Sequence, residues 1–216
     1  LRSTSAWKLG AQFATPQPDD RFVLPAGALF FWRHPDDRHL LRAEVAGVYN
    51  NIFWSVKPEG WGDFEVGLTF NSFTIPSTWN EIYDGVKLDS ENMYWGNVRP
   101  GITVGYRKAL DNSQQDNMWQ LSYILEPGYF YSDRDSVTAE NMVLPKNTFE
   151  LRNRLLFRYD DMRRNILSLP HSGFALGADV VYGFRANWAD WGTPENTFRK
   201  QDGQHYVNFG AYAVAA

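Results

Sequence analysis

The sequence predicts an all-β chain folded as an antiparallel transmembrane β-barrel, and three observations carry that reading. Apolar and polar side chains alternate over runs longer than a soluble strand needs, so each run presents one greasy and one polar face. Short and long connections alternate between those runs from the third one onward. Aromatic residues make up 16% of the chain, and several close an alternating run, where a membrane interface takes rings with one polar edge.

The stretch from Thr148 to Arg185 shows the pattern best. Phe149, Leu151, Asn153, Leu155, Phe157 and Tyr159 alternate with Glu150, Arg152, Arg154, Leu156, Arg158 and Asp160. After a charged turn, Phe174, Leu176, Ala178, Val180, Tyr182 and Phe184 alternate with Gly173, Ala175, Gly177, Asp179, Val181, Gly183 and Arg185. Soluble strands usually run about five or six residues, whereas a tilted strand crossing a bilayer needs about 9–11. Both arms reach the longer figure. The apolar face of a barrel meets lipid and its inner face tolerates charge, so Arg152, Arg154, Arg158, Asp179 and Arg185 are expected to line the lumen. Glu44, Glu65 and Arg107 join them by phase.

Taken in order, the first strand runs from Ser5 to Phe13, with Trp7, Leu9, Ala11 and Phe13 on one side. The prolines of the 15–20 segment then impose a turn. A short strand follows from Ala26 to Trp32, and His34-Pro35-Asp36-Asp37 turns the chain. Leu40 to Trp54 reads as one long strand ending in aromatics, paired through a Lys57-Pro58-Glu59-Gly60 turn with the run Phe64, Val66, Leu68, Phe70. Alternation lapses from Pro76 to Pro100, which reads as an exposed loop. Ile102, Val104 and Tyr106 resume it, and a polar link over 111–116 leads to Trp119, Leu121, Tyr123 and Leu125, with Tyr129 and Tyr131 at the end. Loops over 132–147 and 188–204 flank the central pair, and Tyr206 begins a ninth strand.

The long loops around Asp84, Asp135 and Asn196 are expected outside the cell and the short turns in the periplasm. Nine strands, counted from a periplasmic amino end, put the Lys57–Gly60 turn on the long-loop side, against the rest of the pattern. The final residues read as mid-strand, so residues 1–216 are expected to form a single barrel domain that is part of a larger barrel, completed by further strands or by another chain.

Composition narrows the function classes. A net charge of −4 and a pI near 5.6 argue against nucleic acid as a partner, which needs a basic face. No cysteine is present for a disulfide framework, and no apolar run of about 18 residues exists to make a membrane-spanning helix. A mean hydropathy of −0.45 is compatible with barrel strands, whose apolar half is hidden by alternation.

The run from Arg158 through Asp160-Asp161-Met162-Arg163-Arg164-Asn165, Pro170 and Gly173-Phe174 to Gly183 resembles a hairpin of the bacterial surface-antigen family of outer-membrane barrels, the BamA and TamA type. There a strand ends in Asp with Arg and Asn nearby, the turn carries Pro, and Gly with an aromatic opens the next strand. Asp160 or Asp161, Arg163 or Arg164, Asn165, Pro170, Gly173 and Phe174 match. The family's Arg-Gly-aromatic loop motif is absent from these residues, and residues 1–216 are expected to hold no periplasmic POTRA domain. The resemblance implies a bacterial outer-membrane location and a role in transport, assembly or insertion of proteins or lipids. Outer-membrane lipids, lipopolysaccharide and other protein chains would be the partners.

The clusters tested for chemistry yield no catalytic residue, metal or cofactor. His34, Asp36, Asp37 and His39 lack a recognisable third-ligand spacing and read as a solvated turn, and Asp133-Arg134-Asp135 offers too few oxygens for calcium. Ser168 has no glycine elbow, and His171 and His205 stand alone. Trp79, Trp95, Trp188 and Trp191 fall in expected loops, as interface anchors or as a sugar platform. Two other readings stay open: a soluble β-sandwich that binds carbohydrate through those tryptophans, and a barrel-embedded lipid hydrolase.

Overall fold

The computed structural model describes residues 4–11, 26–33, 38–46, 49–74, 79–83, 86–110, 117–134, 136, 138–164 and 170–216. The 15–20 and 111–116 turns, the His34–Asp37 cluster, Asp84, Asp135, Asn165 and Ser168 lie outside them.

One antiparallel sheet accounts for nearly all the regular structure. Its strands are β1 (Thr4–Ala11), β2 (Ala26–Arg33), β3 (His39–Val45), β4 (Tyr49–Val56), β5 (Phe64–Thr74), β6 (Trp79–Tyr83), β7 (Val86–Ala109), β8 (Met118–Asp133) and β9 (Thr148–Asp160). Two short strands, β10 (Arg163–Arg164) and β11 (Pro170–Ser172), form a separate ribbon before β12 (Phe174–Arg185). A second ribbon, β13 (Trp191–Gly192) with β14 (Thr197–Phe198), and the one-turn helix α1 (Lys200–Gly203) precede β15 (His205–Ala215). The main sheet follows the order β1-β2-β3-β4-β5-β7-β8-β9-β12-β15, with β6 attached to β7, so every neighbour along the path is also the next main strand in the chain. Among the described residues β1 and β15 each pair on one side only, and no closed barrel is formed.

Two expectations about the strands are corrected. The run from Leu40 to Trp54 is not one strand: the chain reverses between Val45 and Tyr49, Ala46 N–H donates to Tyr49 O at 2.8 Å, and β3 pairs with β4. The apolar phase of Leu41, Ala43, Val45 and Tyr49 carries through the reversal and conceals it. The extra strand makes the path ten strands, which returns the 57–63 turn to the same end of the sheet as Thr4 and removes the parity conflict. The 76–100 stretch is largely strand, because β6 and the first part of β7 form a hairpin in which Val86, Lys87, Leu88, Asn92 and Met93 of β7 pair with β6 alone, beyond the reach of β5 and β8.

The distribution of side chains reverses that of a water-soluble core. Phe149 (69% exposed), Ile102 (58%), Phe64, Leu68, Val104, Leu155 and Phe209 stand on one face and pack against nothing opposite them. Glu65, Arg107, Gln120, Ser122 and Glu126, each at 0% exposure, stand on the other. That polar face is concave: Arg42 on β3 donates to Met118 Sδ on β8 at 3.2 Å, with β4, β5 and β7 curling between them. Leu40, Phe53 and Met118 form a small apolar cluster inside.

Rings collect on the outer face in two tiers. Phe64, Tyr106, Trp119 and Phe157 make a chain of edge contacts with centroids 5.5, 5.1 and 6.1 Å apart, and Tyr159 stacks on Phe174 at 4.9 Å. Tyr129 meets Phe149 at 5.3 Å, and Tyr182 stacks on His205, in the opposite tier. Along β9 the ten-residue step from Phe149 to Tyr159 spans about 33 Å of strand, or about 25 Å of height at a tilt of 35–45°. Between the tiers the outer face is mostly aliphatic, with the rings of Trp54, Tyr123 and Phe209 among the aliphatic side chains, and Asn153 Oδ1 accepts the Tyr123 hydroxyl there at 2.6 Å.

Two prolines meet inside the ladder. Pro100 stands opposite Pro127, and the β7–β8 pairing lapses from Arg99 to Gly101 because neither ring nitrogen can donate. The gap serves the inner face. A Cβ on Gly128 would lie 2.6 Å from Arg99 Cγ, so the glycine makes room for that side chain where the ladder opens.

At the turn end Asp160 is buried, accepting Met162 N–H at 3.0 Å and Arg158 at 3.2 Å. Gly173 has φ +102, and a Cβ there would sit 2.3 Å from the carbonyl oxygen of Asp161. Gly173→Ala should therefore cost about 1–3 kcal/mol of stability, measured by denaturant unfolding, because a non-glycine residue at such φ is strained even before the clash. A change under about 0.5 kcal/mol would show that the hairpin does not need this backbone.

Candidate functional site on the concave face

Period-2 alternation sends every second side chain of β3 to β15 inward, and cross-strand register then decides which charges meet. Glu65 on β5 lies one strand from Arg107 on β7, and Arg107 lies opposite Gln120 on β8. Glu65 Oε2 accepts Arg107 Nε at 2.6 Å and Ser55 Oγ at 2.7 Å, while its Oε1 accepts Gln120 Nε2 at 3.0 Å. Gln120 also donates to Ser122 Oγ at 3.2 Å. With both ion-pair partners cut off from water, this cluster ties four strands, β4, β5, β7 and β8, together from inside.

A second cluster centres on Glu150 of β9. Arg99 Nη2 approaches it at 3.3 Å, Arg185 Nε at 3.5 Å and Arg152 Nε at 3.9 Å, and the Tyr206 hydroxyl donates to it from β15. Arg152 also lies 3.7 Å from Glu126, whose other oxygen accepts Asn71 Nδ2 at 2.7 Å. The Arg185 guanidinium lies against the rings of Trp188 (4.2 Å), Tyr206 (4.7 Å) and Phe130 (5.8 Å), so it is held by cation–π contacts as well as by charge. A Cβ on Gly183 would lie 2.1 Å from the Tyr206 ring, so the absence of a side chain lets the tyrosine lie flat on the sheet.

Above Glu150 opens a cavity of about 550 Å³, lined by Trp95, Asn97, Arg99, Phe130, Arg152, Arg185, Trp188, Trp191, Tyr206 and Asn208 among others. Segments 138–147 and 186–204 shape its rim, through Pro145 and through Trp188, Trp191, Asp202 and Gly203. Arg134 donates to the carbonyls of Ala139 and Met142 and fixes the first. Asp190 ties the second, accepting Lys200 N–H at 2.6 Å and Arg199 at 3.4 Å, and the Lys200 hydrogen bond with the neighbouring cations holds its carboxyl below the usual carboxylate range. A smaller cavity of about 340 Å³ lies between β2–β5 and β8–β9, with Arg42, Glu44, Asn51, Asn71 and Arg154 on its walls.

All five residues expected to line a lumen lie on this concave face, and the structure distributes them over three groups. Arg152 and Arg185 join Glu150. Arg154 grips Asp179 with two nitrogens at 2.5–3.0 Å. Arg158 pairs with Asp160 at the turn end. Arg163 is exposed, and the backbone of Pro170 pairs with Arg164 in the small ribbon. Sequence reasoning passed over Arg99, Glu126, Glu150 and Tyr206 as site residues, since their convergence depends on register across four strands. It also treated the loop tryptophans as one group. Trp188 is 6% exposed and turned inward over Arg185, so it is not an interface anchor, while Trp95 and Trp191 share its cavity and Trp79 stands on β6.

Among the described residues no group of three or more His, Asp or Glu is placed to hold a metal ion, and no helix is long and apolar enough to cross a membrane. His205 Nδ1 hydrogen-bonds the Tyr182 hydroxyl at 2.8 Å on the outer face. No protein-family model, curated protein or solved structure matches the chain.

Proposed function

We propose that this chain forms the wall of an antiparallel transmembrane β-barrel in the bacterial outer membrane, of the surface-antigen type, and acts there in transport, assembly or insertion of proteins or lipids. The observation that carries the reading is the inverted polarity: a continuous apolar outer face between two aromatic tiers, and a concave face of buried, paired charges. In water that outer surface would be an association liability far larger than a monomer normally exposes. In a bilayer it is the surface that lipid requires, and the tier spacing of about 25 Å fits the apolar band of outer-membrane barrels. A sandwich would cover its apolar face with a second sheet, and here that face is bare.

Lipid also penalises open strand edges, because unpaired backbone groups have no water to turn to. In the membrane, β1 and β15 therefore pair with further strands or with another chain. With the 57–63 turn, Asp160 and Phe174 at the same end as Thr4, that end faces the periplasm, and Thr74, the 138–147 segment and the 186–204 loop face outward. The transport or assembly role rests on the likeness of the Arg158–Gly183 hairpin to that of the family. No covalent chemistry is assigned.

Cell fractionation followed by gel mobility of heated and unheated detergent extracts tests the location and the barrel together. The expected result is recovery in the outer-membrane fraction with a heat-dependent shift in mobility. Recovery in the high-speed supernatant without detergent would overturn the proposal.

A further inference from the structure

The cavity above Glu150 has a surplus of donors. Arg99, Arg152 and Arg185 bring five N–H groups each. They converge on one carboxylate, Glu150, which also takes the Tyr206 hydroxyl, and Arg152 alone reaches a second, Glu126. Arg99 spends Nη1 on Asn97 at 2.8 Å, and its Nε has no hydrogen-bond partner. Arg152 Nε lies in ion-pair range of both carboxylates but beyond hydrogen-bonding distance, and Trp188 Nε1 is buried without a partner. Unmet buried donors are costly, and an acceptor-rich ligand would satisfy those it can reach.

The remaining walls are aromatic and held in place. Trp191 stacks on Phe198 at 4.2 Å with 14° between planes, and Trp95 packs on Phe73 at 5.1 Å and Phe130 at 6.2 Å. Asn208 adds an amide that can both donate and accept, Asn97, whose oxygen is taken by Arg99, adds N–H donors, and Asp202 at the exposed rim adds acceptors. A volume of about 550 Å³ with rigid ring walls and a few convergent polar groups is that of a small-molecule site.

From this geometry we propose that the cavity binds an acidic saccharide. Its carboxylate meets the Arg99 and Arg152 guanidinium groups, its ring packs on the tryptophan wall, chiefly Trp191, and its hydroxyls exchange hydrogen bonds with Asn97, Asn208 and Asp202. A guanidinium and a carboxylate fit as planar partners, and ring faces take the apolar side of a sugar. Arg185, already enclosed by Trp188 and Tyr206, fixes Glu150 and the floor of the site instead of contacting the ligand. The site is built from the chain's own residues and does not depend on the membrane reading.

The test is tryptophan fluorescence of the full chain, in whichever medium fractionation shows it to need, titrated with galacturonate, glucose and inorganic phosphate. Galacturonate is expected to change the emission saturably at millimolar concentration or below, with glucose and phosphate each at least about tenfold weaker, a difference of about 1.4 kcal/mol. Asn208→Asp adds a negative charge at an exposed inner position without touching the Glu150 cluster, and should weaken galacturonate binding about tenfold or more while leaving thermal unfolding unchanged. Trp191→Leu should lose both the signal and the binding measured by calorimetry. Equal binding of glucose and galacturonate would overturn the acidic part of the proposal. Equal binding of phosphate would reduce the site to an anion pocket, and no saturable change with galacturonate would overturn it altogether.

Discussion

Replacing Arg107 by Leu is expected to destabilise the folded sheet by about 3–5 kcal/mol, the cost of leaving a buried charge without its partner. Glu65 would remain at the centre of the concave face with only Ser55 and Gln120 to hold it. The pair is fully enclosed, so bulk solvent cannot take over from the lost guanidinium, and the carboxylate keeps its desolvation penalty. Replacing both partners, as Glu65→Leu with Arg107→Leu, removes the orphan and should recover a large part of the loss, since buried ion pairs are often close to neutral against apolar residues of similar size. The measurement is the denaturant midpoint of the two variants beside the parent, in the same detergent. A single variant within about 0.5 kcal/mol of the parent would mean that water reaches Glu65 after all.

Leu155→Arg on the outer face is the second large effect, about 2–4 kcal/mol if the residue lies near the bilayer midplane. Leu155 is 48% exposed, pairs with Tyr123 on one side and Val180 on the other, and stands between the two aromatic tiers. The same substitution on a water-facing sheet would stay within about 0.5 kcal/mol, because nothing packs over the side chain. The yield of heat-modifiable protein in the membrane fraction separates the cases: a sharp fall places the face in lipid, and an unchanged yield removes that face from the bilayer. Arg154→Leu is not a neutral control, because it strands Asp179, its bidentate partner.

The alternation of β9 and β12 was legible because the physics that creates it acts on each strand alone. Phe149, Leu151 and Leu155 must share a face whatever lies beside them, and so must Arg152, Arg154 and Arg158. The reversal between Val45 and Tyr49 was not legible, because the apolar phase continues through it and no proline or Asx pair marks it. The β6–β7 hairpin was missed for a different reason. It extends past the sheet, so neither face needs to be uniformly apolar and the periodic signal disappears. The ion clusters lie furthest from sequence: Glu150 looks like any inward carboxylate on β9, and only the register of β7, β12 and β15 brings Arg99, Arg185 and Tyr206 to it. Trp188 illustrates the limit of composition, since a tryptophan can as readily cover the Arg185 cation on the concave face as stand on the outer one.

The meander order has a consequence for the route by which the chain assembles. Each main strand pairs with the one before it, so each addition closes a short loop and costs little chain entropy. The sheet can therefore grow one hairpin at a time from either end. Charge sets a different schedule. The Glu65 cluster is complete once β4, β5, β7 and β8 have joined, whereas Glu150 collects partners from β7, β9, β12 and finally β15. When growth starts from the amino-terminal end, the two halves of the concave face mature in sequence, the first sealed while the second is still wet. Docking of β15 is the step that delivers Tyr206 to Glu150 and with it the last wall of the tryptophan cavity, so the binding site comes into being only as that strand arrives.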